Sequence, residues 1–275
     1  MHTLWHYTDA AGMLGIVTAR QLWFGDSEFL NDRTERRYGQ TLRKEIIEDI
    51  RRAGDPTGIV AAIDAALDWF GVYRLYLCSF SASNDESISQ WQRYGADGAG
   101  YCIGFDAVEL DNAFAPHQVY RVPMIYQPVQ QRQLLQEVLE RTVREYESGH
   151  SSRFDTHRLH WLDVAMASDG VGRLEMQMKS PYFSDEAEWR YFREIDDDHP
   201  ISGIPVEFHA RGHYIKPFVA FPPRSDSMRL LPIRQVIVGP RLDAEIAASG
   251  ISRFLRSSGY GDVRVDRSKL CDTWR

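Results

Sequence analysis

The chain has 275 residues, 43% hydrophobic and 12% aromatic, enough to bury a substantial core as one large domain or two small ones. A formal net charge of -7 gives no global basic footprint of the kind nucleic-acid binders carry, so contact with an anion has to come from a local cluster. The three cysteines, Cys78, Cys102 and Cys271, are widely spaced without a CxxC pair, which argues against a disulfide framework or zinc knuckle and for a reducing compartment.

The opening MHTLWHYTDAAG lacks a basic segment followed by an apolar core, so no signal peptide is read there. No apolar run reaches membrane-spanning length. A cytoplasmic protein with no membrane partner is therefore expected. With no Gly/Ser- or Pro-rich linker between elements, a single domain over 1–275 is expected, with a helical insert at about 128–180.

Leu4 to Tyr7 reads as a first strand, and Thr8 or Asp9 caps a short helix with Met13, Leu14, Ile16 and Val17 on its core face. Gln21 to Phe24 is a second strand, followed by a loop from Gly25 to Asp32. A long charged helix then runs from Glu35 to Arg52 with Ile46, Ile47 and Ile50 on one side. Gly54-Asp55-Pro56 stops it, and Ile59 to Phe70 has the pattern of another amphipathic helix.

The stretch Tyr76–Asp106 reads as strand, loop, short helix, turn, strand. Leu75, Leu77 and Ser79 alternate with Tyr76, Cys78 and Phe80. Ser83 and Glu86 have capping-box spacing ahead of Ile88 and Trp91, and Gly95, Gly98 and Gly100 allow a tight return into Tyr101, Ile103 and Phe105. Either a polar, aromatic-lined pocket wall or a core hairpin with a capped helical excursion has this pattern.

Further on, His117 to Tyr126 is expected as a strand interrupted by Pro123, Val129 to Glu147 as a long helix, and His157 to Ala167 and Val171 to Met178 as helical. Strands return at Ala187 to Ile195, Val206 to His209, His213 to Phe221 and Val236 to Val238. A helix from Asp243 to Ser257 and a strand from Val263 to Val265 close the chain. Helices fall in two blocks bracketed by strands, which points to an α+β fold rather than alternating βαβ units.

The strongest local signal for chemistry is KSPYFSDEAEWR, Lys179 to Arg190. Glu186 and Glu188 are two apart, and on a strand that places both on one face, beside the aromatics Tyr182, Phe183 and Trp189. Two such acids can divide labour, one ionised and one hydrogen-bonding a substrate group. The plainer alternative is a strand end with Glu188 paired to Arg190 or Lys179. Asn31 to Glu35 reads as a helix N-terminus that suits the dipole, and with Arg33, Arg36 and Arg37 it also suits phosphate. Arg33, Arg36, Arg37 and Arg43 lie on one helix, either as a basic strip or paired with Glu35, Glu45 and Glu48. His157, His160 and Asp163 recur at three-residue spacing, as a metal face or as a polar helix surface.

Together, several of these pieces resemble a bacterial family, domain-of-unknown-function family 2971. They are His6-Tyr7-Thr8 with Leu22-Trp23, Phe29 to Asp32 with Glu35, Cys78 to Ser81, and Ser89-Gln90-Trp91 with Tyr94-Gly95. Gly100 to Asp106, Lys179 with Phe183, Glu186 to Arg190 and Ile237 to Pro240 complete the set. The helical segment from Val129 to Ser168 carries none of them.

A second resemblance implies an activity. A first strand carrying His-Tyr-Thr, then a helix and much later a Glu-x-Glu strand, is similar to ADP-ribosyltransferases, especially DNA-modifying toxins and RNA 2′-phosphotransferases. It implies an ADP-ribosyltransferase-like mixed or antiparallel sheet core with helical insertions, and NAD as substrate. By that resemblance His6, within His6-Tyr7-Thr8, holds the adenosine ribose, and Glu188, with Glu186 beside it, is catalytic. One of Ser79, Tyr94 and Tyr101 flanks nicotinamide, with Trp91 also available to stack; Asn31, Arg33 and Arg93 are where pyrophosphate contacts are expected. The acceptor is expected to be DNA or RNA, as in a toxin or phage-defence effector. The alternatives are an NAD glycohydrolase using the same pocket and a non-catalytic nucleotide- or protein-binding module.

Overall fold

In the computed structural model the described residues are 3–29, 35–54, 60, 63–65, 67, 74–83, 86–150, 170–195, 204–226 and 229–274. In chain order the elements are β1 (Thr3–Thr8), α1 (Ala10–Ala19), β2 (Leu22–Asp26), α2 (Glu35–Gly54), β3 (Arg74–Ser81), α3 (Ile88–Arg93), β4 (Tyr101–Asp106) and α4 (Ala107–Phe114). They continue with β5 (Tyr120–Pro123), α5 (Pro128–His150), β6 (Glu188–Ile195), β7 (Glu207–Arg211), β8 (Tyr214–Phe221), β9 (Ile233–Val238), α6 (Ala244–Ser257) and β10 (Arg264–Arg267). The expected α+β class holds.

The chain divides into two compact units, one of Met1–Asp26, Leu75–Pro123 and Ser184–Arg275, the other of Ser27–Arg74 and Met124–Phe183. The helical insert expected at about 128–180 belongs, where described, to the second unit, which also takes α2.

The first unit is built on one sheet with the order β10-β9-β4-β1-β3-β2-β8-β7, and β6 joins β3 and β5 off that path. β10 pairs with β9 in parallel, while the β9–β4, β4–β1, β1–β3, β3–β2, β2–β8, β8–β7 and β5–β6 pairs are antiparallel. β1 lies in full register with β4, from Thr3 opposite Asp106 to Thr8 opposite Tyr101, and meets β3 at Trp5 opposite Ser81. One face of these strands, with Leu4, Cys78, Phe80, Ile103 and Phe105, lies in the principal core with residues of α1, α4 and α6. The other face builds a smaller core of Tyr7, Trp91, Cys102 and Ile237.

Helix starts follow side-chain capping. The Asp9 carboxylate accepts from Gly12 N at 2.7 Å, and Asp243 accepts from Glu245 N and Ile246 N. At α3 the cap is Ser87, whose Oγ accepts from Gln90 N, and not Ser83. Glu86 is drawn elsewhere: it accepts from Trp91 Nε1 at 3.1 Å, Ser268 Oγ at 2.5 Å and Lys269 N at 2.8 Å. α4 was not anticipated. Asp106 caps it through Val108 N and Glu109 N, Leu110 and Phe114 are buried, and the strand expected from His117 shortens to β5 after a 3-10 turn at Ala115–His117.

The second unit has its own core, including Ile46 and Ile47 of α2 and Leu135 and Leu139 of α5. Helical residues are described at 60, 63–65 and 67 within the expected Ile59–Phe70 helix, and at 170–175. The expected helix at His157–Ala167, with its candidate metal face, lies outside the described residues. No group of His, Cys, Asp and Glu able to hold a metal occurs among the described residues, and no described helix is long and apolar enough to cross a membrane.

Arg43 corrects the basic-strip expectation. Its side chain is fully buried, 2.6 Å from Asp64 Oδ1 and 2.6 Å from Glu175 Oε1. Arg37 is exposed, and Arg33 lies outside the described residues. A guanidinium held between two carboxylates in a core offsets the charge of each and removes their mutual repulsion. Arg43→Ala is therefore expected to lower the unfolding free energy by about 3–5 kcal/mol in urea titrations, because two largely buried acids lose their counter-charge.

Candidate active site

β1 distributes the expected ligand residues over two faces. Strand alternation puts Leu4, His6 and Thr8 on one side and Trp5 and Tyr7 on the other. His6 lies on the principal-core side, its ring 5.5 Å from that of Phe80, and its Nδ1 is 3.0 Å from the Ser79 carbonyl. A carbonyl can only accept, so Nδ1 carries the proton and, in the neutral ring, Nε2 carries the lone pair. Burial holds His6 below the ordinary histidine range, partly offset by that hydrogen bond, so the neutral ring is the form present near pH 7. Thr8 packs at the start of α1, where a Cβ on Gly12 would come within 2.0 Å of Thr8 Oγ1. Tyr101, opposite Thr8, packs against the principal core, and burial raises its phenol above the ordinary value.

On the other face Tyr7 and Trp91 meet edge to face, with centroids 4.9 Å apart. Trp91 is 0% exposed, so its indole is a core element with its N–H tied to Glu86. Burial pushes the Tyr7 hydroxyl and the Cys102 thiol upward, leaving both protonated near neutrality. The turn after α3 is held by close backbone packing. A Cβ on Gly100 would lie 2.2 Å from the Thr8 carbonyl oxygen, so only glycine fits there.

Arg93 and Tyr94, at the end of α3, reach the carboxylate that the sequence singled out. Arg93 donates to Glu186 Oε1 at 2.7 Å and Tyr94 Oη to the same oxygen at 3.4 Å. Ser89 Oγ donates to Asp185 in the same turn. Glu186 is buried, whereas the Arg93 side chain is 42% exposed. The Arg93 side chain is thus partly open to solvent while its Nη1 is held on a buried acid.

Glu186 and Glu188 do not share a strand face, contrary to the spacing argument. Glu186 ends a 3-10 turn, Pro181–Glu186, and Ala187 has φ 43° before β6 opens at Glu188. The left-handed residue breaks the two-residue period and aims the two acids at different partners. Glu188 forms a bidentate pair with Arg190, Nε to Oε1 at 2.5 Å and Nη2 to Oε2 at 3.0 Å, and both side chains are buried. Trp189 and Tyr191 pack on the principal core, so Glu188 and Arg190 face away from it. On β3, Ser79 likewise alternates with the core residues Cys78 and Phe80.

Ser79 and Glu188 thus face away from the principal core on the paired strands β3 and β6, while Arg93 and Tyr94 of α3 meet Glu186 in the turn before β6, Tyr94 also packing against the smaller core. His6, Thr8 and Tyr101 belong to the core side, Tyr7 and Trp91 are packed in the smaller core, and Asn31 and Arg33 lie outside the described residues. Arg190, Asp185 and Glu86 were not among the expected site residues. Arg190 was legible as the next residue on the Glu188 side of the strand, whereas Asp185 and Glu86 find partners far away in sequence.

Residues 90–191 match a family model described as Protein of unknown function (DUF2971). The match supports the family resemblance, covering the motif pieces from Gln90 to Asp106 and from Lys179 to Arg190, and it carries no activity. No curated protein and no solved structure matches the chain.

The His6 environment has a measurable pH consequence. Its folded pKa lies below the unfolded value of 6.5, so the unfolded chain binds the proton more readily. The contribution is complete above that value, and it is lost as pH falls below it towards the lower folded pKa. As pH falls below about 6.5 the unfolding free energy should decline by up to about 1.4 kcal/mol per pH unit from this group. His6→Asn should flatten that slope in denaturant titrations.

Proposed function

We propose that this protein is a NAD-dependent mono-ADP-ribosyltransferase with an ADP-ribosyltransferase-like sheet core. The observation that carries the assignment is the buried Glu188 at the first position of β6, directly after a turn whose Glu186 is held by Arg93 and Tyr94. Cleaving the nicotinamide–ribose bond builds positive charge on the ribose, as in glycoside cleavage. A fixed carboxylate that accepts a hydrogen bond from the ribose 2′-hydroxyl stabilises that charge where it develops. Glu188 has this role, and Arg190 fixes its orientation. Arg93 takes the pyrophosphate and Tyr94 flanks the nicotinamide ring. His6 acts through the Ser79 carbonyl that it holds in place. Weaker NAD binding by a His6→Ala variant with an unchanged melting temperature would instead restore the ribose-holding role.

Nicotinamide release from NAD tests the assignment. Glu188→Gln is expected to lower kcat by on the order of a hundredfold or more. Because the substitution also removes the counter-charge of Arg190, the assay is run below the variant's melting midpoint with folding checked by circular dichroism. Unchanged turnover in the folded variant would remove Glu188 from the chemistry. Labelled NAD offered separately with single-stranded DNA, RNA and a protein lysate identifies the acceptor. Nucleic acid is expected to take the label; label found only on protein would exclude it. Free ADP-ribose alone would make the protein an NAD glycohydrolase.

A second reading, a non-catalytic nucleotide-binding module, draws on one observation. Both carboxylates are engaged in ion pairs with arginines of the chain itself, as buried structural acids are. NAD binding by calorimetry with no nicotinamide released would decide for it.

A further inference from the structure

A cleft of about 660 Å³ lies in the first unit between residues 109–117, from α4 and the turn after it, and Pro222, Ser225 and Arg229 to Pro232, and it shares no residue with the candidate active site. Its size falls in the range of about 300–1,000 Å³ typical of small-molecule sites. Its apolar lining comes from Ala113, Pro116, Pro222, Leu231 and Pro232. Proline lacks a backbone N–H, so three of these positions bring no donor that a ligand must satisfy.

Charge is confined to particular places. Glu109, on the helix side, is paired with Arg234, whose Nη2 is 2.6 Å from Glu109 Oε1 and 3.4 Å from Asp106 Oδ2, so the acid's charge is only partly offset. Arg229, on the opposite side, makes no ion pair among the described residues. Leu230 beside it is 43% exposed, an apolar side chain left at the mouth. A ligand entering here meets hydrocarbon walls, the polar side chains of Asn112, His117 and Ser225, and on the side opposite Glu109 the Arg229 guanidinium, which prefers carboxylate or phosphate.

We propose that this cleft binds a small amphipathic anion, its apolar body against Leu231 and the prolines and its carboxylate or phosphate on Arg229. The site is independent of the transferase assignment, and its test uses no NAD. Isothermal titration of the full chain with octanoate, octyl phosphate and uncharged 1-octanol separates the two head groups and the contribution of charge. At least one of the anions should bind with one-to-one stoichiometry, at least tenfold more tightly than octanol. The tighter of the two identifies the head group. Arg229→Ala should abolish that preference while leaving the melting temperature unchanged. Leu230→Glu, at an exposed position that does not threaten folding, should weaken anion binding at least tenfold by placing like charge at the mouth. Equal affinity for octanol and the anions, an anion preference that survives Arg229→Ala, or no saturable binding of either anion up to millimolar concentration would overturn the proposal.

Discussion

The antiparallel register of β1 between β4 and β3 is the constraint on which the arrangement of the first unit depends. Once His6 is opposite Ile103 and Tyr7 opposite Cys102, alternation leaves no freedom over which side chain goes into which core. A slip of one residue would send Leu4 and His6 to the Trp91 side and Trp5 and Tyr7 into the principal core. The lone His6 hydrogen bond to Ser79 belongs to this register, since it ties β1 to β3 where the ladder between them is short.

A second constraint is local. Ala187, in a left-handed conformation that costs a non-glycine residue on the order of 1 kcal/mol, separates the 3-10 turn from β6. The turn is over-determined by its neighbours: Ala187 O accepts from Ala82 N at 2.9 Å, Asp185 from Ser89, and Glu186 from Arg93 and Tyr94. α3 is itself anchored through Trp91 to Glu86, and Glu86 to the C-terminal residues Ser268 and Lys269. A short helix of this kind has little stability of its own. Its fixed position comes from these long-range contacts, and with it the position of Arg93.

Burying ionic groups imposes a pairing rule on both units. Arg43 lies between Asp64 and Glu175, Glu188 has both oxygens on Arg190, and Glu186 has Arg93. Taking a single charge out of water costs several kcal/mol unless a partner and further hydrogen bonds compensate, so these groups are stable only as sets. Among the exposed cations of the first unit, Arg93 is anchored to a buried acid and Arg229 lies beside an apolar cleft. The first suits a ligand that already carries an extended anionic group, and the second suits one whose greater part is hydrocarbon.

By itself the sequence determined most elements and the fold class. β1, α1, α2, β3, α3, β4, α5, β6 and α6 follow from two- and 3.6-residue periodicity and from caps such as Asp9 and Asp243, all of which act within a few residues. It also determined the family motifs between Gln90 and Arg190 that the family model matches. Tertiary structure decided which groups meet. Arg93 and Glu186 are 93 positions apart, and His6 and Ser79 are 73 apart. The burial of Trp91 needs Tyr7 and Ile237, and that of Arg43 needs Asp64 and Glu175. The left-handed turn at Ala187 has no signature in an alanine, which favours helix when left to its own propensity. Local preferences are set by neighbours along the chain. The partner of a charge and the face of a ring are set by strand register and by the cost of leaving either unsatisfied, and both exist only once distant segments have packed.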